Sequence, residues 1–446
     1  MSTRKAAAPS RSARARIERL YWRAGFGALP GDVDRLARAG TAVAVRELLT
    51  PRGPQLRRAP APLVDGQPID PLNTYGHDVL WWLDRMVRGR HQLVERMTLN
   101  WHDHFATSNE KVSDSKLMLS QYWTIRGKAL GSFRNLAQSL LRDHAMERFL
   151  DLDNSDKDDP NENFARELME LFTLGVNNGY TERDIREAAR GLTGFTYDWD
   201  TKQFGYDRSR HDDGVKRIFG KTGRFTPTDV VNLTISHPKH APYLCNKLWG
   251  YFTALPCPPA TLRQMVAAYR KSHTQIKPVL QIILTHPALY ASLGEPDQVK
   301  SPVVYAAGML RKTNQHITTD SWTWMLDDMG QRPFYPPNVS GWEQNEAWLT
   351  TASVRARYQA ASQVIRDMEI KDGSIPKTQT PAQALSQAIR MTGRPWTSAQ
   401  SRAALTRFSR ESVATKTNEW QVDHYWPERL RVLCHMLLAG PDGQVC

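Results

Sequence analysis

Six polar residues that could share one reaction centre, Asn161, Glu162, Asn163, Arg166, Glu167 and Glu170, stand within the run NENFARELME. If that run is helical, Asn163, Glu167 and Glu170 fall at i, i+4 and i+7 and share a face. Arg166 lies four residues from both Glu162 and Glu170 and can pair with either. Two carboxylates so placed can divide acid–base work: one stays ionised beside Arg166, and the other, buried, keeps its proton. Glu167 and Glu170 are therefore candidate catalytic residues, and Arg166, Asn163 and Asn161 candidate substrate-binding residues. The plainer alternative is a solvated helix face. Against it, Asn163 is a poor helix former, and Ala165 and Met169 widen the apolar surface. The polar face is thus expected to meet other protein, where carboxylates need partners.

Histidines supply the second set. The segment NWHDHF places His102 and His104 around Asp103, which is neither an i, i+4 zinc pair nor an HEXXH motif. Alone, the pair fits a packed aromatic–histidine cluster better than a metal site. The turn RHDDGVKRIFG carries His211, Asp212, Asp213 and Lys216 around Gly214, a composition suited to a functional loop. His104 and His211 join the glutamates as candidate catalytic groups. Lys216 joins Arg166 as a holder of an anionic substrate group. Glu162, His102 and Asp212 are candidate ligands for a divalent cation. The His–Pro pairs in SHPKH and THPAL follow apolar helical runs and read as helix-end turns. Neither a phosphate loop nor a nucleophile elbow occurs, so no serine or cysteine is nominated as a nucleophile.

An acidic loop precedes the helix: Asp151, Asp153, Asp156, Asp158 and Asp159, opposed only by Lys157. Counted from Asp151, the residues Asp153, Ser155, Asp159 and Glu162 occupy positions three, five, nine and twelve of a calcium-loop register, but Asp156 stands at six, where that loop needs glycine. Three readings stay open: an EF-hand-type site, a looser divalent-cation site, and an acidic loop that is solvated or docked on basic residues.

The elements that must position these groups are helices. Asp159 followed by Pro160, with Glu162 three residues on, predicts a capped start. Phe164, Leu168, Leu171 and Phe172 form the buried stripe, and Gly175 ends it. Similar spacing recurs along the chain, with no fixed repeat. The fold class expected is mainly α, a large helical-hairpin assembly with long loops, with room for one small hairpin near 195–225. A single domain is expected over 17–440, with a Pro-rich surface linker at 50–71 and a candidate subdivision near 225. Residues 1–16 read as a disordered basic arm and 441–446 as a tail.

Bulk properties exclude some classes. Of 446 residues, 40% are hydrophobic and 24% charged, as in soluble globular proteins. No run approaches the ~18 apolar residues of a membrane span. The net charge of +13 is partly local to MSTRKAAAPSRSARARIERL, which reads as a solvated arm, so nucleic acid is not an expected partner. That segment has no apolar core of a secretory signal, so a cytoplasmic location is expected as it stands, and a start further upstream would leave export open. The four cysteines form no CxxC pair, and reduced thiols are expected. Trp81, Trp82, Trp101, Trp123 and Tyr122 suit core packing better than a redox role.

The order of NENFARELMELFTLG, YTERDIREAARGLTGF, RHDDGVKRIFG, HPKHAPYLCNKLWGYF and PPNVSGW, after YWRAGFG and NWHDHF, resembles DUF 1800, a bacterial family of unknown function, over about residues 17–440. The resemblance implies an α-helical fold and no defined reaction. It implies export by twin-arginine signals and a secreted sulfatase-like partner in many members; the N-terminus here lacks the matching apolar segment. The family's recurring polar positions map onto His102, His104, Asn161, Glu162, Asn163, Arg166, Glu167, Glu170, His211, Asp212 and Lys216.

Two functions are therefore expected as alternatives. One is a hydrolase or lyase using a Glu/His site, with or without a divalent cation, on an anionic glycan or a phosphate-, sulfate- or uronate-bearing substrate. The other is a non-catalytic binding or scaffold protein whose Glu/Arg/His set is a structural polar network.

Overall fold

The computed structural model describes residues 10–29, 31–57, 61–152, 155–198, 201, 203–412 and 418–446. Helices dominate, as the apolar spacing predicts, and the strands among the described residues form three two-stranded antiparallel hairpins. Helix starts are written locally. Thr181 with Asp184 and Thr226 with Asp229 form reciprocal capping boxes, and Pro227 and Pro302 occupy first turns, where a missing N–H costs nothing. No described helix is long and apolar enough to cross a membrane. All four cysteines are free thiols.

The chain divides into two compact units. The first is built from the described residues up to Gln92, with Pro287–Arg332 and Glu343–Cys446. Its central helix, Pro302–Thr313, is buried from Pro302 through Lys312, as expected of a helix that is apolar nearly all round. Arg311 on this helix donates to the carbonyls of Met86, Val87 and Gly89, at the end of the helix His77–Arg88. One guanidinium thus satisfies carbonyls that a helix terminus leaves orphaned. Residues 11–16, expected in a disordered arm, belong instead to the helix Arg11–Arg23, capped by the Ser10 side chain; residues 1–9 lie outside the described residues. The expected tail is also packed, with Gly443 and Gln444 buried in a short turn. Within the Pro-rich interval, Leu63–Val64 and Gln67–Pro68 pair as a hairpin.

The second unit comprises Leu93–His286 and Pro333–Trp342. In place of one small hairpin near 195–225 it has two, Phe195–Asp198 with Gln203–Tyr206 and Lys216–Ile218 with Lys221–Gly223. Its core gathers Trp101, Phe105, Phe133 and Phe172 around His104, with neighbouring ring centroids 4.7 to 6.4 Å apart. Of the five aromatics expected in the core, Trp82, Trp101 and Tyr122 are buried, whereas Trp123 is 46% exposed.

Candidate functional site

The candidate helix starts later than its sequence signals suggest. Asp156 accepts from the N–H groups of Asp158 and Asp159 and turns the chain, so Asp159 does not cap. Buried Ser155 accepts from the Asn161 N–H at 3.0 Å. Asn161 is left extended, accepts from the Asn163 N–H at 2.8 Å as N-cap, and donates to the carbonyls of Leu150 and Asp151. Asn161, expected to bind substrate, is thereby committed to the backbone. Asp151 pairs with Lys111 at 2.8 Å and Asp156 faces Arg210 at 3.9 Å, so the acidic loop is partly docked on basic residues. The calcium register is not assembled: Ser155 points inward, Asp158 and Asp159 are exposed, and Asp153 lies outside the described residues.

From Glu162 to Glu167 the helix is α, and from Leu168 to Thr173 it widens to a π-helix. Gly175, at φ 97°, follows its end. Three successive carbonyls of the wide turn each meet a side chain from elsewhere. The Tyr243 hydroxyl donates to Leu171 at 2.8 Å, His104 Nε2 to Phe172 at 2.9 Å, and His240 Nδ1 to Thr173 at 2.9 Å. A carbonyl only accepts, so those ring nitrogens carry the protons. Nε2 of His240 is left to accept from the Tyr269 hydroxyl at 2.8 Å. Burial holds the His104 imidazole well below its ordinary range and pushes His240 down to about 4. Both rings are neutral hydrogen-bonding groups.

His102 has a different surrounding. Its Nε2 accepts from the Phe334 N–H at 3.2 Å, its ring packs on Phe334 and Trp342, and burial lowers it to about 3. Between the two histidines, Asp103 accepts from the Trp342 N–H at 2.8 Å. Burial raises its carboxyl to about 6, against the pull of that N–H and of Lys247. Sequence patterning does not single out Asp103; its place between two histidines that face inward is the signal that could have.

Arg166 does pair as its spacing predicts, at 3.3 Å from Glu162 and 3.5 Å from Glu170. Its closest carboxylate, however, is Glu182 of the helix Glu182–Gly191, which takes both guanidinium nitrogens at 2.9 and 2.8 Å. Asn163 is exposed and Glu162, Glu167 and Glu170 are half-buried, so the polar face is not enclosed by protein as expected. Burial raises the Glu167 carboxyl, neighbouring Glu170 raises it further, and Arg166 opposes both.

The turn after the first of the two hairpins is held by the far end of the same Glu182–Gly191 helix. Asp212 accepts from Arg190 Nε at 2.7 Å and from the Gly214 N–H at 2.7 Å. Burial would raise the Asp212 carboxyl, but these donors outweigh it and hold it below the ordinary carboxylate range. The buried Lys216 ammonium donates to the carbonyls of Asp212 and Gly214 and is lowered by burial. His211 Nδ1 donates to the Thr193 carbonyl at 2.9 Å, against the Tyr206 ring. Earlier on the helix, Glu187 and Asp184 accept from the N–H groups of Arg217 and Phe219, completing a ladder that fastens the strand Lys216–Ile218.

The expected constellation is therefore not brought together. Glu182 and Arg190 are eight residues apart, roughly 12 Å along a helix axis, which puts the Arg166 cluster and the His211–Asp212–Lys216 turn at opposite ends. His102 and His104 belong to the aromatic core. Glu162, His102 and Asp212, expected as metal ligands, sit in three separate networks, and no described group of three or more His, Cys, Asp or Glu side chains is arranged to hold a metal ion.

No curated protein and no solved structure matches the chain. Residues 19–445, nearly the whole chain, match the family described as protein of unknown function (DUF1800), and the protein belongs to that family.

Proposed function

We propose that this protein is a non-catalytic binding or scaffold protein whose Glu/Arg/His set is a structural polar network. One observation carries the reading: three consecutive carbonyls of the 168–173 turn take their hydrogen bonds from Tyr243, His104 and His240. A general base needs a ring nitrogen within reach of a substrate proton. His104 instead gives its Nε2 proton to a buried carbonyl, and His211 gives its Nδ1 proton to Thr193. Arg166 and Lys216, expected to hold a phosphate, sulfate or uronate, are engaged with Glu182 and with backbone carbonyls. A sulfatase-like partner, implied by the family, belongs to the same reading and is tested by co-purification. The direct test is nitrogen NMR of the histidine rings. A neutral His104 protonated at Nε2 and unchanged between pH 5 and 8 supports the network; a His104 titrating near neutrality overturns it.

A second reading, a hydrolase or lyase acting on an anionic substrate, rests on Glu167. Its raised carboxyl stands one turn from Glu170, which Arg166 pairs. A thermal-shift screen with sulfated and uronate oligosaccharides, with and without calcium or magnesium, tests it. A stabilisation lost in Glu167→Gln would favour this reading; no stabilisation by any of them would remove it.

A further inference from the structure

We propose that a cavity inside the first unit binds a small organic anion with a flat apolar body, of the arylcarboxylate class, whose carboxylate meets the Lys300 ammonium. This goes beyond the reading of the polar network, and because the cavity lies wholly within the first unit its failure would leave that reading untouched.

The cavity encloses ≈ 250 Å³, near the lower end of the size range of small-molecule sites. Its apolar wall includes Trp22, Met309, Leu437 and Trp396. The Trp22 indole lies against the central helix because residue 308 is glycine; a β-carbon there would collide with the ring. A flat guest is what such a wall favours, since ring faces and edges supply its contact.

The charge in the wall is lopsided. Six cationic side chains line the cavity against the carboxylates Glu18 and Asp442. Glu18 is taken by Lys312, with both oxygens within 2.8 Å, and Asp442 accepts from the Ser398 N–H. Arg11, Lys300, Arg394 and Arg402 have no carboxylate within ion-pair distance among the described residues. Lys300 is only 8% exposed. Its Nζ donates to the Gly443 carbonyl at 2.7 Å and lies 4.2 Å from the centroid of the Trp22 ring. An ammonium has three donors, and one carbonyl uses one of them. Burial without a counter-charge lowers it to about 8. An entering carboxylate compensates that charge where water does not. A neutral sugar would leave it uncompensated, and inorganic phosphate would leave the indole wall uncovered.

Two arginines lead inward. Gly393 and Arg394 are both left-handed, at φ 73° and 58°, which is unusual backbone for arginine. Arg394 is exposed, and Arg402 donates to Thr397 at 2.9 Å. Exposed guanidinium groups here raise the local concentration of anions without holding them as a buried charge does.

The test is titration calorimetry of the full chain with 2-naphthoate, its neutral isostere 2-naphthamide, and inorganic phosphate. We expect one 2-naphthoate per chain with Kd below about 100 µM. Binding of the amide should be about tenfold weaker or worse, the amount one lost charge-assisted contact represents. Ala15→Trp, which fills the cavity, should abolish binding; Lys300→Met should weaken it at least tenfold. Should Lys300→Met not fold, the exposed Arg394→Ala and Arg402→Ala variants should each weaken it a few-fold, more at low salt. Absence of 2-naphthoate binding by folded protein, equal binding of acid and amide, or binding that survives Ala15→Trp in a folded variant would each overturn the proposal. Phosphate binding as tight as 2-naphthoate would overturn the apolar half of it.

Discussion

His104 gives its Nε2 proton to the carbonyl of Phe172 at 2.9 Å, across 68 residues of sequence. Both groups are buried, so neither has water as an alternative partner. His104→Leu should therefore destabilise the protein by about 1–3 kcal/mol, the desolvation cost of an orphaned buried carbonyl. His104→Gln, which keeps a donor, should lose less. Urea unfolding of the three proteins at neutral pH measures the difference. A leucine variant as stable as the parent would show that the bond carries no weight.

Acid should weaken the fold, with a change of slope. His102, His104 and His240 all have folded-state values depressed below the ordinary 6.5, so the unfolded chain binds protons that the native chain refuses. Their contribution is complete above about pH 6.5 and is lost as pH falls below it, by up to about 1.4 kcal/mol per histidine per pH unit. Asp103 and Asp143 act in the opposite sense. Burial raises each to about 6, so between there and the ordinary carboxylate range the native chain binds the extra proton. Tm should thus fall most steeply just below pH 6.5 and more gently below pH 6. In Asp143→Asn that gentler part should steepen.

Arg166 should be what keeps its neighbours ionised. Glu167 is raised by burial and by Glu170, and Arg166 is the opposing charge. In Arg166→Met the Glu167 carboxyl should titrate at still higher pH, while Glu182 should return towards an ordinary glutamate value. Carbon NMR of the side-chain carboxyls reads both. An unchanged Glu167 would place its perturbation entirely in burial.

Lys216→Met should loosen the hairpin it underlies. The substitution leaves the Asp212 and Gly214 carbonyls without the ammonium and removes one of the charges facing the Asp212 carboxylate. A loss of about 1–3 kcal/mol is expected, with faster amide exchange in 212–223 than elsewhere in the second unit. Arg190, still paired with Asp212, limits the damage.

What the sequence makes legible is local. The stripe of Phe164, Leu168 and Phe172 and the Arg166 pairing to Glu162 and Glu170 follow from spacing, and both are present. So do the capping boxes at Thr181 and Thr226, which need only three residues of context. Glu182 as the strongest partner of Arg166 is not legible, because an intervening turn brings it there. Nor is the wide turn at 168–173: LMELFT has good α-helix formers, and its geometry is accompanied by donors from Tyr243, His104 and His240 far along the chain. The helix start failed for a nearer reason. Asp156 turns the chain first, taking the Asp159 N–H, and Asn161 rather than Asp159 becomes the cap. His102 and His104 looked like reagents because residue type is visible and surroundings are not.

The π geometry at Leu168–Thr173 also sets how this stretch tolerates change in length. Such a bulge carries an extra residue relative to an α-helix, since its bonds span five residues and not four. A point substitution at Tyr243, His104 or His240 removes one anchor and leaves two. Deleting a single residue between 168 and 173 would close the ring to the tighter spiral and swing everything beyond it by about 100°. All three carbonyls would then face away from their donors at once. The segment should accept many replacements yet reject the smallest shortening.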